Sequence, residues 1–336
     1  MIIRECIRRT VGDWKRAKFI RNQYRYNLQY FTKDYAELCK KTVQLSANSK
    51  KKDLYLAAVE EKDKYLDDYI RAVCDPVIQK YHTGFTPQSV SERDCIWVFW
   101  WTGEDTAPDL IKVCLKSIRA NASGHPVIMI DQTNYAQFVQ LPEHILEKHN
   151  RGLIGHAHFS DVLRHMLLAK YGGVWIDATV FLSQPLPDRV FQDQFYTLKS
   201  YEPKAIYPSK SRWCTYFLAG KPSFPLFAFT AECLIEYWKD HDAIIDYLLM
   251  DYVIRIAYEE IPAIGRYIDS LQDNNPMRTV LMDKIRSPYS KELFQELSSS
   301  DTFASKLSWR YGKPVLYTKN GELTNYGYLI SLLSGE

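Results

Sequence analysis

The stretch FSDVLRHMLLAKYGGVWIDATVFL, residues 159–182, decides the fold. Ser160 stands where a helix N-cap belongs, apolar residues follow at helical spacing, and Tyr171-Gly172-Gly173 supplies a left-handed stop. The second half reads as one strand over 174–182. A period of two sends Val174, Ile176, Ala178, Val180 and Leu182 to one face, and Trp175, Asp177, Thr179 and Phe181 to the other. A carboxylate inside a half-buried strand is costly unless it is paired or bound to something. Asp177 therefore marks a candidate site.

Working outward, the same alternation recurs. CIWVFWW at 95–101 predicts a first strand, 108–121 a helix and PVIMID at 126–131 a second strand; helices follow over 134–139, 142–149 and 160–171. Strands alternating with helices argue for a mostly parallel α/β sheet, whose ligands sit beyond the carboxyl ends of the strands. Asp131 and Asp177 both fall late in their strands. Neither strand is followed by G-x-G-x-x-G or a P-loop, which counts against dinucleotide oxidoreductases and P-loop phosphotransferases. Upstream, 12–45 and 51–82 read as helices, and a turn-rich linker follows at 82–89. The chain thus divides into a helical N-terminal region, 1–90, and a catalytic domain, 91–336. Downstream, helices are expected over 223–239, 242–258 and 289–299. The segment AIIDYLLMDYVI is apolar nearly all round and so buried, which obliges Asp246 and Asp251 to be paired, capped or facing a cavity.

At 336 residues, with 46% hydrophobic and 25% charged, the chain is long enough to bury a full core. Its 24 tyrosines and eight tryptophans offer aromatic faces with polar tips, which suit sugar and base contacts as well as packing. Seven scattered cysteines without a C-x-x-C pair point to reduced thiols rather than a disulfide frame or zinc site. No apolar leader opens the chain and no run approaches the ~20 apolar residues of a membrane span. The expected location is the cytoplasm, with peripheral contact at the inner face of the membrane as the alternative to a wholly solvated protein. That contact would run through the basic N-terminus, where Arg4, Arg8, Arg9, Lys15, Arg16, Lys18, Arg21 and Arg25 interleave with Ile7, Trp14, Phe19 and Ile20. A solvated helix face explains the same pattern. Nothing points to nucleic acid.

The run SDVLR-x6-YGGVWIDAT resembles the S-D-x-x-R … G-G-x-Y/W-x-D-x-D signature of retaining sugar transferases: glycosyltransferase family 32, the clostridial glucosylating toxins and the bacterial capsular polysaccharide synthesis proteins. The similarity extends from about Ile96 to Trp309. It implies a GT-A-like, Rossmann-type sheet flanked by helices, a UDP-sugar donor, and retention of anomeric configuration. A glycan acceptor, lipid-linked in capsule or exopolysaccharide assembly, goes with it. By the same resemblance Trp100 stacks on the uracil, and Ser160, Asp161 and Arg164 hold ribose and sugar hydroxyls. Lys306, Ser308 and Trp309 close a C-terminal loop over the diphosphate. Asp246 supplies an acid near the anomeric carbon, with His241 beside it. Asp177 matches the first acid of the D-x-D motif and serves both donor binding and catalysis. Where the family's second acid binds Mn²⁺ or Mg²⁺, this chain has Thr179, a far weaker ligand for a hard ion. An alternative reading is therefore a nucleotide-sugar-binding subunit that has lost turnover, and a third is a hydrolase pairing Asp246 with Asp251. His156, His158 and His165 are expected to be structural.

Overall fold

The computed structural model describes residues 13–46, 49–84, 92–310 and 315–334. Arg4, Ile7, Arg8 and Arg9 of the basic segment lie outside the described residues. Three helices come first: α1 (Asp13–Tyr30), α2 (Lys33–Ser46) and α3 (Lys52–His82). The single helix expected over 12–45 is broken at Phe31-Thr32. There Thr32 Oγ1 accepts from the Tyr35 amide at 3.2 Å and starts α2 as a side-chain cap. On α1, Phe19 and Leu28 are exposed, as are Arg21 and Arg25.

The α/β part follows in the order β1 (Ile96–Phe99), α4 (Asp109–Ala120), β2 (Val127–Ile130), α5 (Glu143–Asn150), α6 (His156–Tyr171), β3 (Gly173–Ile176), β4 (Val180–Leu182), α7 (Arg189–Gln192), β5 (Phe195–Thr197) and β6 (Phe217–Gly220). The expected helix over 134–139 is a short 3₁₀ turn at Tyr135–Gln137. The chain continues through α8 (Pro225–Asp240), α9 (Leu249–Glu260), α10 (Pro262–Ser270), α11 (Val280–Asp283), α12 (Lys291–Ser299), β7 (Ala304–Lys306) and α13 (Asn325–Ser334). The main sheet has the order β2-β1-β3-β6-β5. β1 is parallel to β2 and β3, whereas β6 is antiparallel to both β3 and β5. Four of the five strands consequently share one direction and β6 alone is reversed, giving the open, mostly parallel sheet the alternation predicts.

Period-two alternation divides the packing. Trp97, Phe99 and Trp175 face a core with Phe159, Leu163 and Phe227 from α6 and α8; Ile96, Val98, Val174 and Ile176 face a second core with Ile111 and Leu115 from α4. Helix α3 joins the first of these through Leu66, Ile70 and Cys74, so the N-terminal helices and the sheet share apolar packing. Polar contacts reinforce it. Arg255 on α9 donates to Asp63 and Asp67 at 2.8 Å each, and Arg71 reaches Glu259 and Glu260.

The structure departs from the sequence reading in two places that matter. Residues 174–182 are not one strand: β3 ends at Ile176, and Asp177, Ala178 and Thr179 turn before β4. The Val180 amide donates to Asp177 O at 2.9 Å, and the Asp177 amide donates to Tyr216 O at 2.9 Å. The chain therefore leaves the main sheet, and β4 pairs with β7 in a second, two-stranded sheet. Residues 242–248 are likewise not helical. Tyr237 Oη donates to Ala243 O at 2.8 Å and accepts from the Ile245 amide at 2.9 Å, while Tyr35 Oη donates to Ile245 O at 2.5 Å. These side chains take backbone groups that a helix would have paired internally.

Candidate functional site

A cavity of about 670 Å³ opens at the carboxyl ends of β1 and β3. Of the residues expected from the sequence, Trp100, Ser160, Asp161, Arg164, Asp177 and Thr179 line it, and Lys306, Ser308 and Trp309 line it from the opposite wall. Each arrives by a local cause. Trp100 is the residue after β1, its amide still held by Ile130 O at 3.0 Å. Asp177 is the residue after β3, and Thr179 completes the turn. Lys306 ends β7, opposite Val180 in the two-stranded register, and the next amide, of Leu307, donates to Thr179 O at 2.8 Å. The reversal of the chain at Asp177 thus delivers the C-terminal segment to the site.

Helix α6 begins at His156 after Gly155, so Ser160 stands in its second turn and not at its N-cap. Ser160 Oγ donates to Ala157 O at 2.7 Å and accepts from an Arg164 guanidinium nitrogen at 3.2 Å. Arg164 is nearly buried and fully engaged. It meets Asp161 at 3.2 Å and Asp177 at 3.5 Å, donates to Thr215 O, and lies over the Trp175 ring with 4.9 Å to its centroid. Asp161 also accepts from His158 Nδ1 at 3.1 Å. His165 donates Nδ1–H to Asp161 O at 2.8 Å, and complete burial pulls its pKa down to about 4, as befits a neutral structural imidazole. His156 stacks on Trp101 with centroids 5.0 Å apart.

Asp177 is the electrostatic centre. Its Oδ2 accepts from Lys306 Nζ at 2.7 Å and its Oδ1 from Trp175 Nε1 at 2.9 Å. Burial alone would raise its pKa, but Lys306 and Arg164 outweigh burial and hold it at about 2. The same ammonium donates to Thr179 Oγ1 at 2.7 Å. A second carboxyl behaves oppositely. Asp251, at the start of α9, lines the cavity and accepts from Trp213 Nε1 at 3.0 Å, yet burial pushes its pKa up to about 7.

Two expected catalytic residues lie elsewhere. Asp246 does not line the cavity: it pairs with Lys62 of α3 at 2.5 Å, and its Oδ1 accepts from the Leu248 amide at 3.0 Å. His241 donates Nδ1–H to Tyr237 O and accepts from Tyr69 Oη, each at 2.7 Å, and stacks on Tyr237. Both hold the N-terminal helices against the loop before α9. The pairing of Asp246 with Asp251 required by a hydrolase is therefore absent from the cavity. Asp131 is also spoken for, since its Oδ1 caps its own turn through the Thr133 amide and hydroxyl. Sequence reading missed Tyr247, Thr215 and Arg310 among the lining residues. Tyr247, 66% exposed beside the cavity, carries a signal in retrospect, because an aromatic in a loop between buried helices is free to face a ligand.

The residues around Thr179 do not fit the Mn²⁺ or Mg²⁺ that the resemblance implies. Such an ion wants several oxygen ligands, carboxylates foremost. At the turn itself Asp177 is the carboxylate among the described residues, and both it and the Thr179 hydroxyl accept from the Lys306 ammonium. A guanidinium stands close by. Among the described residues, no group of three or more His, Cys, Asp or Glu side chains is placed to hold a metal.

A family model described as "Capsular polysaccharide synthesis protein" matches residues 46–322. Among solved structures, one titled "PaToxG Glycosyltransferase" is similar at 16% identity, covering 61% of this chain and 82% of that one, with a TM-score of 0.36. No curated protein matches.

Proposed function

The chain belongs to the capsular polysaccharide synthesis protein family, and from that premise we propose that it is a retaining glycosyltransferase that moves a sugar from a UDP-sugar to a glycan acceptor. The acceptor is lipid-linked in this reading, which suits the exposed Phe19 and Leu28 beside Arg21 and Arg25 on α1. No described helix is long and apolar enough to cross a membrane. One observation carries the reading: a single cavity holds an aromatic at Trp100 for a flat base, buried Ser160 and Asp161 for hydroxyls, and cations at Lys306 and Arg310 for a diphosphate.

In the reaction, the bond between the anomeric carbon and the β-phosphate oxygen breaks as the acceptor hydroxyl oxygen bonds to that carbon from the same face. The acceptor's proton passes to the departing phosphate oxygen, so retention needs no further base. Charge building on the diphosphate is the main demand, and preorganised donors meet it without reorganisation. Asp251, raised to about 7, is about half protonated at neutral pH, and its protonated form donates to a sugar hydroxyl.

The test is incubation with a panel of UDP-sugars and a glycan acceptor, with UDP release followed by chromatography and binding followed by thermal shift. Release with one sugar is expected. Stabilisation without release under all conditions would favour the binding-subunit alternative, and no stabilisation by any UDP-sugar would overturn the proposal.

A further inference from the structure

We infer that Lys306 is the resident cation of this site: its ammonium bridges Asp177 and Thr179, the two positions at which the resemblance implies a divalent ion, so UDP binding needs no added metal. The inference rests on the donor-site reading above and deepens it.

Four observations carry it. First, one ammonium touches both positions of the motif, Asp177 Oδ2 and Thr179 Oγ1, at 2.7 Å each. Asp177 and Thr179 thereby orient a cation with one charged and one neutral oxygen. Second, the contact is not needed to hold the turn. Backbone bonds already do that, from Leu307 N to Thr179 O at 2.8 Å and from Lys306 N to Arg278 O at 2.9 Å. Third, Lys306 is not sealed off: its side chain is 28% exposed and lines the cavity. An ammonium has three donors; Asp177 and Thr179 take two, and among the described residues no hydrogen bond takes the third. Fourth, the charge balance favours an anion. Asp161, Asp177 and Asp251, the last only about half ionised at neutral pH, line the cavity against Arg164, Lys306 and Arg310, which still leaves a positive excess. An acid at 179 would cancel that excess, and Thr179 preserves it.

Thr179 is thus the complement of Lys306 and not a defect in a metal site. On donor binding the ammonium keeps Asp177 as its anchor and turns its remaining N–H to a phosphate oxygen. Charge-assisted bonds of this kind are short and strong, and they act on the same oxygens a divalent ion would neutralise.

Calorimetry with UDP and with uridine, each in EDTA and in Mn²⁺, tests this. In the wild type, UDP should bind equally well in EDTA and in Mn²⁺, and more tightly than uridine. Lys306→Met should weaken UDP by about tenfold or more while leaving uridine unchanged, and Lys306→Arg should retain most of the affinity. The double change Thr179→Asp with Lys306→Met should make UDP binding respond to Mn²⁺. A wild type whose UDP affinity rises about tenfold on adding Mn²⁺ would overturn the inference, with no variant needed. Undiminished UDP binding by Lys306→Met would do the same. Uridine bound normally, with UDP no tighter, would refute the lysine's role and leave the donor-site reading standing; failure to bind either compound would remove both.

Discussion

Replacing Asp251 by Asn should make the protein more stable at neutral and alkaline pH, with a gain that vanishes in acid. The carboxyl is pushed from an ordinary 3.8 to about 7, chiefly by burial, against the opposing hydrogen bond from Trp213. A raised acid contributes its full share of stability below the unfolded pKa, and loses it as pH rises through the folded one. The window therefore runs from about pH 4 to about pH 7. About three units at about 1.4 kcal/mol each set a ceiling near 4 kcal/mol. Because Asp251 is half-buried and faces a cavity that admits water, roughly half of that is the realistic gain. Asn keeps an oxygen for Trp213 Nε1, so the comparison isolates the charge. Urea unfolding of both proteins from about pH 4 to about pH 8 gives the difference directly, and other titrating groups cancel between them. Two curves separated by a constant amount at all pH values would show that Asp251 titrates normally, and its role as a protonated donor in the cavity would fall with it.

Gly173→Ala should destabilise the protein by at least about 2 kcal/mol. At φ +87° a Cβ would also meet Cys95 O at 2.5 Å, where β1 and β3 approach; an unfolding midpoint close to the wild type's would contradict this. Lys62→Met should cost about 2 kcal/mol, because Asp246, whose side chain is 15% exposed, loses its ammonium. Adding Asp246→Leu should recover much of that loss in the same unfolding assay, whereas a double variant worse than the single would mean that Asp246 is held by its backbone turn alone.

Much of the sheet was legible because short-range signals agree. Gly172-Gly173 both stops α6 and lets β3 approach β1, and period-two alternation over 174–176 predicts which residues meet which helical layer. What escaped depends on long-range partners. The reversed strand β6 is four residues buried without alternation, which periodicity cannot separate from loop or helix. The break at 242–248 was hidden for a related reason. Its apolar pattern is helical, but Tyr35 and Tyr237 claim its backbone groups, and Tyr35 lies more than 200 residues away.

The site shows the same division at the level of single side chains. Trp100, Ser160, Asp161, Arg164 and Asp177 come from segments whose strand or helix ends are readable, and the fold delivers them to one cavity. Asp246 reads as equally catalytic, since a buried acid must have a partner, but burial alone does not distinguish a ligand from Lys62. Thr179 is the instructive case. Taken along a straight strand it is a missing acid about two residues from Asp177, and a weakened metal site follows. Once β3 stops at Ile176 the chain turns, β4 moves into the other sheet, and its pairing with β7 places Lys306 against the turn. The meaning of a hydroxyl at 179 is then set by a residue 127 positions later. A carboxylate there would pair with Lys306 and cancel its charge, whereas a hydroxyl accepts one hydrogen bond and leaves the charge for a phosphate.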